Sequence, residues 1–332
     1  MKRFFIYLLI YFFLLFIIPV FTVQFTLSPL WGKNAENTRL IKESLGDAPY
    51  KIKSYIKGED KIEEFPLEEY LLGVVAAEMP GSFPDEALKA QAIAARTHIV
   101  SRVLAGESND SAHKGAAVCT DPAHCKAWTD FEALKKEWEK AGENYGEKIE
   151  NAVRSTSGEI ILYDGKPISA VYYSMSSGNT ENASDVWGGD VPYLKSVNSS
   201  FDENAPNFNS AASFTTDEFK RVILKENSEA NLGENPELWI GEIKTSQGGG
   251  VLEIEIGGKY FKGTRIRTLF SLRSHNFTIA VADGIVTFNV KGYGHGVGMS
   301  QWGCNFLAKE GKNCYDILKY YYSGVEIGKL PS

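Results

Sequence analysis

Residues 66–96 constrain this chain more than any other stretch: Pro66-Leu-Glu-Glu-Tyr-Leu-Leu-Gly-Val-Val-Ala-Ala-Glu78-Met-Pro80, running on to Ala90-Gln-Ala-Ile-Ala-Ala-Arg96. Pro66 suits the first turn of a helix, and Glu68 and Glu69 favour its positive end. Leu67, Tyr70, Leu71, Val74 and Val75 share one face, so the spacing predicts a helix over 66–78 that Pro80 stops. Glu78 follows Leu67 by close to three full turns and projects from the same side. A carboxyl there is partly desolvated and near the negative end of the helix dipole. Both effects disfavour its charged form, which suits a general acid. The plainer reading is a helix-end glutamate paired with an arginine such as Arg96.

The N-terminus sets a second constraint. Met1-Lys2-Arg3 precede a nearly unbroken apolar run from Phe4 to Val23, and about 20 such residues cross a bilayer. The basic pair favours a cytoplasmic N-terminus. The expectation is a stub at 1–3, a transmembrane anchor at 4–23, a linker at 24–49 and an extracytoplasmic region at 50–332, single-pass at the cell membrane. A cleavable signal peptide is the other reading, but no small-x-small site or lipid-attachment cysteine follows the run. A net charge of −7 argues against nucleic acid as a partner.

Tyr50–Ile56 alternates like a half-buried strand before the turn Lys57-Gly-Glu-Asp60. A second helix is expected from Ser82–Glu86 to about Val103, with Leu88, Ala92, Ala95, Ile99 and Val103 as its stripe. Beyond Asn151 hairpins dominate: Glu159–Tyr163 with Ile168–Tyr173 around Asp164-Gly165, Leu252–Ile256 with Gly257-Gly258, and Phe277–Val290 around Asp283-Gly284. Helices are expected again at Met299–Lys309 and Tyr315–Ser323. Segregated helices and hairpins indicate α+β, with the Glu78 helix packed on hairpin-rich lobes and a cleft between.

Three other constellations carry chemical potential. His113-x5-Cys119-x4-His124-Cys125 gathers two imidazoles and two thiols, the donors that tetrahedral zinc prefers; four ligands would close the site and make the metal structural. A local Cys119–Cys125 disulfide is the competing reading. In Gly292-Tyr-Gly-His-Gly-Val-Gly-Met-Ser-Gln-Trp-Gly303, glycines let the backbone come close to a substrate or to the Glu78 helix, with His295, Ser300 and Gln301 as polar contacts, or else make a tight packing turn. Ser174–Tyr193 mixes amides, hydroxyls and the Trp187 ring in a way that suits a carbohydrate, or simply a solvated loop. Cys304 and Cys314 are near enough in sequence to bridge two terminal helices, although Cys304 also reads as a small buried residue.

Taken together and in this order, these segments resemble the stage II sporulation protein D family of peptidoglycan lytic transglycosylases, over roughly Tyr50 to the C-terminus. The Pro66–Arg96 stretch and the Gly292–Gly303 run carry most of the likeness; Trp302-Gly303-Cys304 departs from the Tyr-Gly-Ala-like run of many members. The resemblance implies that Glu78 is the catalytic acid/base and that His113, Cys119, His124 and Cys125 hold Zn2+. Tyr173, Ser177, His295 and Gln301 would then line the glycan cleft. Partners so implied are peptidoglycan glycan strands, a wall amidase and a membrane sporulation protein in an engulfment complex.

The implied chemistry accounts for a lone carboxylate. Hydrolytic glycosidases usually need two, whereas a lytic transglycosylase uses the sugar's own C6 hydroxyl as nucleophile and leaves 1,6-anhydro-N-acetylmuramic acid ends. The rivals are a muramidase with Asp185 or Asp190 as second carboxylate, a zinc amidase with an open metal position, and a non-enzymatic wall-binding module.

Overall fold

The computed structural model describes residues 39–41, 43, 50–106, 111–121 and 124–331. The stub and the 4–23 run lie outside the described residues, as does most of the linker. Among the described residues no helix is long and apolar enough to cross a membrane. The longest described helix, Asp85–Leu104, carries Asp85, Glu86, Lys89, Arg96 and Arg102, which would strand charge in hydrocarbon. The expected single-pass membrane placement is therefore withdrawn.

The fold is α+β. A first hairpin pairs β1 (Lys51–Ile56) with β2 (Lys61–Pro66), and β1 also takes a short parallel partner, β3 (Val118–Cys119). The chain passes from β2 directly into α1 (Leu67–Glu78), with Pro66 as its N-cap residue and Met79 extended at its end. Then α2 (Asp85–Leu104) runs through the middle of the first lobe. It is buried on nearly every side from Ala87 to Val100, and this explains its alanines. Small side chains let α1, α4 (Tyr145–Ser155), α8 (Gln301–Lys309), α9 (Cys314–Tyr321) and β4 (Glu159–Tyr163) all pack against it. Before α4 comes α3 (Phe131–Lys140), N-capped by Asp130, whose side chain accepts from Ala133 N–H.

Arg96 is fully buried within α2, and its guanidinium makes a two-pronged pair with Glu68 at 2.8 and 2.6 Å. It also donates to the Glu159 and Val153 carbonyls. The arginine that might have paired with Glu78 is thus committed to the start of α1 instead of its end.

The Asp164-Gly165 turn forms, but its second strand, β5, is only Lys166–Pro167. Pro167 has no N–H to extend a ladder, and the outer edge of β4 is taken by β14 (Glu326–Lys329). The chain leaves to form β6 (Tyr172–Tyr173), which pairs in parallel with β13 (Met299–Ser300). Ile168 N–H still donates to Ile161 O at 3.1 Å, but beyond it the expected hairpin strand does not form: Tyr172 and Tyr173 are long-range partners of the Gly-rich run.

A second lobe follows the short helix α5 (Ala183–Trp187). It holds β7 (Asn209–Thr215), α6 (Thr216–Glu226), the β8–β9–β10 meander (Ile240–Thr245, Val251–Ile256, Lys259–Lys262), α7 (Gly263–Leu269) and the hairpin β11–β12 (Phe277–Ala282, Ile285–Lys291), with β12 also pairing β7. Its core is separate and aromatic: Phe219 stacks on Phe270 at 5.1 Å, and Phe270 meets Phe288 at 5.0 Å, pairs worth about 0.5–1.5 kcal/mol each beyond their burial. The capping box Thr215–Glu218 starts α6.

The lobes join around Glu181, which is 2% exposed. Its backbone N–H donates to Gly296 O at 2.7 Å, and its Oε1 accepts from Gly250 N–H at 2.9 Å. His275 Nε2 lies 3.7 Å from the same oxygen. Burial raises the Glu181 carboxyl and lowers the His275 imidazole to about 4, so His275 is neutral near pH 7.

Candidate functional site

Glu78 closes α1 half-buried, and two segments from far along the chain hold its carboxylate. Ala127 N–H donates to Oε1 at 2.9 Å, and Gln301 Nε2 donates to Oε2 at 3.0 Å. One donor on each oxygen fixes the plane of the carboxyl group. The apolar stripe of α1 buries Leu67, Tyr70, Leu71, Val74 and Val75, but the carboxyl group itself sits among polar partners. Beside it is a cavity of about 480 Å3, lined in part by Glu78, Pro80, Trp138 and Tyr145 and, among the described residues, by no other carboxylate.

Ala127 reaches Glu78 because the 124–129 segment lies flat on α1. Gly73 allows that approach: a Cβ there would come within 2.5 Å of Trp128 Nε1 and 2.4 Å of Thr129 O. Just upstream, His113, Cys119, His124 and Cys125 put their ligand atoms within 4.8 Å of one another. His113 Nε2 is 3.2 Å from His124 Nδ1 and 3.0 Å from Cys125 Sγ, and each thiol is 3.6 Å from His124 Nδ1. Zinc bonds of about 2.0 Å to nitrogen and 2.3 Å to sulfur give tetrahedral edges of about 3.3–3.8 Å. The donor set therefore fits a tetrahedral metal, and the group could hold one. Both cysteines are free, so the disulfide reading is not realised. Burial pushes the Cys125 thiol up to about 12, an unfavourable environment for a bare thiolate that a divalent cation would offset.

Lys126 links this cluster to Glu78, and sequence reasoning missed it. Its ammonium sits 3.7 Å above the Tyr172 ring and donates to Tyr172 O at 3.4 Å. Burial lowers it to about 8, while the nearby Glu78 partly offsets that. No motif marks a lysine that becomes a site residue only because its loop folds back on α1.

The Gly-rich run supplies the other side. Its glycines pack on the 171–181 segment: a Cβ on Gly298 (φ +80) would meet Val171 O at 2.2 Å, and one on Gly294 (φ +125) would meet the Tyr173 side chain at 2.6 Å. That close packing carries the chain into α8, whose N-cap, Ser300, accepts from Gly303 N–H at 3.1 Å. Ser300 in turn donates to the fully buried Asp202, which also accepts from Ser176 N–H at 2.6 Å. Burial pushes Asp202 up to about 7, against the pull of those hydrogen bonds. The network fixes the first turn of α8, and the first residue of that turn is Gln301.

The four expected cleft residues are placed differently from one another. Gln301 bonds Glu78 directly. His295 accepts from Val297 N–H at Nδ1 (3.1 Å), so its proton is on Nε2, 3.2 Å from Tyr172 O. Burial and nearby cations lower it to about 3, and its ring lies 5.2 Å from the half-exposed Trp187. With both nitrogens committed, His295 serves as a neutral platform. Tyr173 is buried beneath it, with ring centroids 5.2 Å apart. Ser177 stands at the lobe joint, accepting from Asn276 Nδ2 at 3.0 Å. Asp185 accepts from Asn182, and Asp190 pairs with Lys195. Cys304 and Cys314 are both free and buried, so no disulfide joins the last helices.

The sequence-family description Stage II sporulation protein matches residues 55–163, which hold α1, α2 and the His/Cys group. Stage II sporulation protein D of Bacillus subtilis (strain 168) is 41% identical over 288 residues, covering 86% of this chain and 81% of that protein. The protein of the same name from Bacillus amyloliquefaciens is 40% identical over 299 residues, 89% of this chain and 83% of its own length. A more distant relative, the amidase enhancer of Bacillus subtilis, is 28% identical over 77% of this chain and 40% of its own. With identity at this level over more than four fifths of two named relatives, the chain belongs to the stage II sporulation protein D family.

Proposed function

We propose that this protein is a peptidoglycan lytic transglycosylase acting in sporulation, with Glu78 as its general acid and then its base. The observation that carries this reading is a single carboxylate, oriented by one donor on each oxygen, at the edge of a cavity of about 480 Å3 that no other carboxylate among the described residues lines. Glu78 protonates the glycosidic oxygen between N-acetylmuramic acid and N-acetylglucosamine as that bond breaks. The resulting carboxylate then takes the proton from the C6 hydroxyl as O6 attacks the anomeric carbon. A 1,6-anhydro ring forms, the proton count closes, and no water is consumed. The Lys126 ammonium lies near Glu78, and the Gln301 and Ala127 donors keep the group aimed throughout.

The His/Cys group fits a structural Zn2+: four protein donors leave no open position for Lewis-acid work, which disfavours an amidase. When bound, the metal would supply rigidity to the 113–128 loop, and that loop delivers Lys126 and Ala127 N–H to Glu78. A hydrolytic muramidase is disfavoured because Asp185 and Asp190 are each taken up by a local partner. The likeness to an amidase enhancer supports a wall amidase as functional partner.

The test is mass spectrometry of purified glycan strands treated with wild type and with Glu78→Gln. Anhydro ends from wild type alone are the expected result. Reducing ends would indicate hydrolysis, and anhydro ends from Glu78→Gln would remove Glu78 from the chemistry.

A further inference from the structure

The cavity beside Glu78 extends to a pair of aromatic rings that the chemistry above does not use. Trp138, near the end of α3, and Tyr145, the first residue of α4, meet edge to face with centroids 5.9 Å apart and an interplanar angle of 83°. Both are half-exposed and both line the cavity, together with Glu78, Pro80, Gly81 and Ser82.

Its wall is braced in advance. Lys148 on α4 donates to the Gly81 and Phe83 carbonyls at 3.1 and 2.7 Å. Gly81 lies so close to Tyr145 that a Cβ there would come within 2.5 Å of the tyrosine Cβ. The loop after Glu78 is therefore clamped onto the helix that carries Tyr145, and α3 and α4 hold the two rings against each other. A site built this way does not have to be ordered when a ligand arrives.

We propose that this cavity is a glycan subsite in which one pyranose ring next to the scissile bond packs its C–H face on Trp138 and Tyr145. The proposal rests on the reading of Glu78 as the residue that cleaves a glycan. The chemistry of the walls selects the occupant. At about 480 Å3 the space is in the range of small-ligand sites. Among the described residues Glu78 is the only charged one in its lining, and no lysine or arginine is there to receive a carboxylate. A stem peptide, rich in carboxylates, lacks a partner in it. An N-acetylglucosamine pyranose is neutral, whereas the muramic acid ring of a stripped strand carries its lactyl carboxylate. The neutral ring has one face of C–H groups for an aromatic floor, and hydroxyls at its rim for Ser82 and the Pro80–Ser82 backbone.

The test uses the full chain and soluble glycan strands of alternating N-acetylglucosamine and N-acetylmuramic acid, stripped of stem peptides. Dissociation constants come from calorimetry, and turnover is followed by release of anhydro ends. Trp138→Ala is expected to weaken binding at least tenfold, with the loss falling on KM rather than kcat, while Trp138→Phe stays within about threefold of wild type. Because the alanine variant alters a packed ring pair, tryptophan fluorescence gives an independent reading: strands should quench wild type clearly more than Trp138→Phe, at equal occupancy, the remainder coming from the other tryptophans. Undiminished quenching in Trp138→Phe, or wild-type binding by a folded Trp138→Ala, overturns the subsite while leaving the function of Glu78 intact. Binding of free stem peptide that is lost with Trp138→Ala also overturns it. Failure of wild type to bind or cleave the strands at all overturns the subsite and the proposed activity together.

Discussion

The two segments that hold Glu78 are built on opposite principles. The 113–128 segment is local: the four side chains that could hold a metal fall within thirteen residues, and a bound cation would fix them. The 292–301 segment is long-range: it is fixed by backbone packing on residues 171–181 and by the buried Asp202–Ser300 contact. Each delivers one hydrogen bond to one oxygen of the same carboxylate. The difference teaches that a bound metal would make one support of the site sensitive to chelation, while the other rests on packing and on a buried carboxyl that chelation does not touch.

Glu78 is where the two meet, so Glu78→Gln should have the largest effect. Cleavage measured by anhydro-end release is expected to fall about 10²–10⁴-fold, the range for loss of a general acid–base, with thermal stability unchanged. Next is the metal-supported side. Chelation should release Ala127 N–H and Lys126 from Glu78 and cost about 10²-fold in activity, as for a group displaced by about 1 Å. Zinc should restore it and also raise the melting temperature. Insensitivity to a strong chelator, with metal loss verified on the same sample, would break the comparison.

On the packing-supported side, Gln301→Ala removes one donor and is expected to cost about tenfold, less than chelation because chelation releases both Ala127 N–H and Lys126. Its activity should remain chelator-sensitive, which separates the two supports. Gly298→Ala should destabilise the fold by about 1–3 kcal/mol by forcing a Cβ onto Val171 O, read by denaturant unfolding and not rescued by zinc.

The smallest effect is at the lobe joint. His275 has its pKa lowered by burial from 6.5 to about 4, so between those values the unfolded chain binds a proton that the native chain does not. Its contribution makes stability rise with pH across that window and is lost on acidification. The raised Glu181 carboxyl acts in the opposite sense. Subtracting the profile of His275→Gln from that of wild type should leave a positive slope of up to about 1.4 kcal/mol per pH unit between pH 4 and 6.5. A flat difference would mean that the joint opens to solvent.

Two readings of the sequence turn on non-local competition. The Asp164-Gly165 turn was legible, but how far the hairpin runs was not decided by that turn: Pro167 has no N–H to offer, and Tyr172 and Tyr173 pair instead with Met299 and Ser300. Arg96 read as a partner for a glutamate, and it is one, but Glu68 takes it through a crossing of α1 and α2 that periodicity does not encode. Lys126, Asp202, Trp138 and Tyr145 carried no local pattern. Each matters through what a distant segment places against it.

What the sequence determined by itself was local: the α1 stripe that ends in Glu78 at a proline, the Asp283-Gly284 and Gly257-Gly258 hairpins, and the donor set at 113, 119, 124 and 125. These follow from chain geometry over a few turns or a single loop, where spacing fixes which side chains can meet. The tertiary structure alone decided that Ala127 and Gln301 converge on one carboxylate, 49 and 223 residues from it, and that two aromatic rings share its cavity. Such contacts depend on how helices and loops cross, and the free energy of those crossings is spread over a core that no single segment contains.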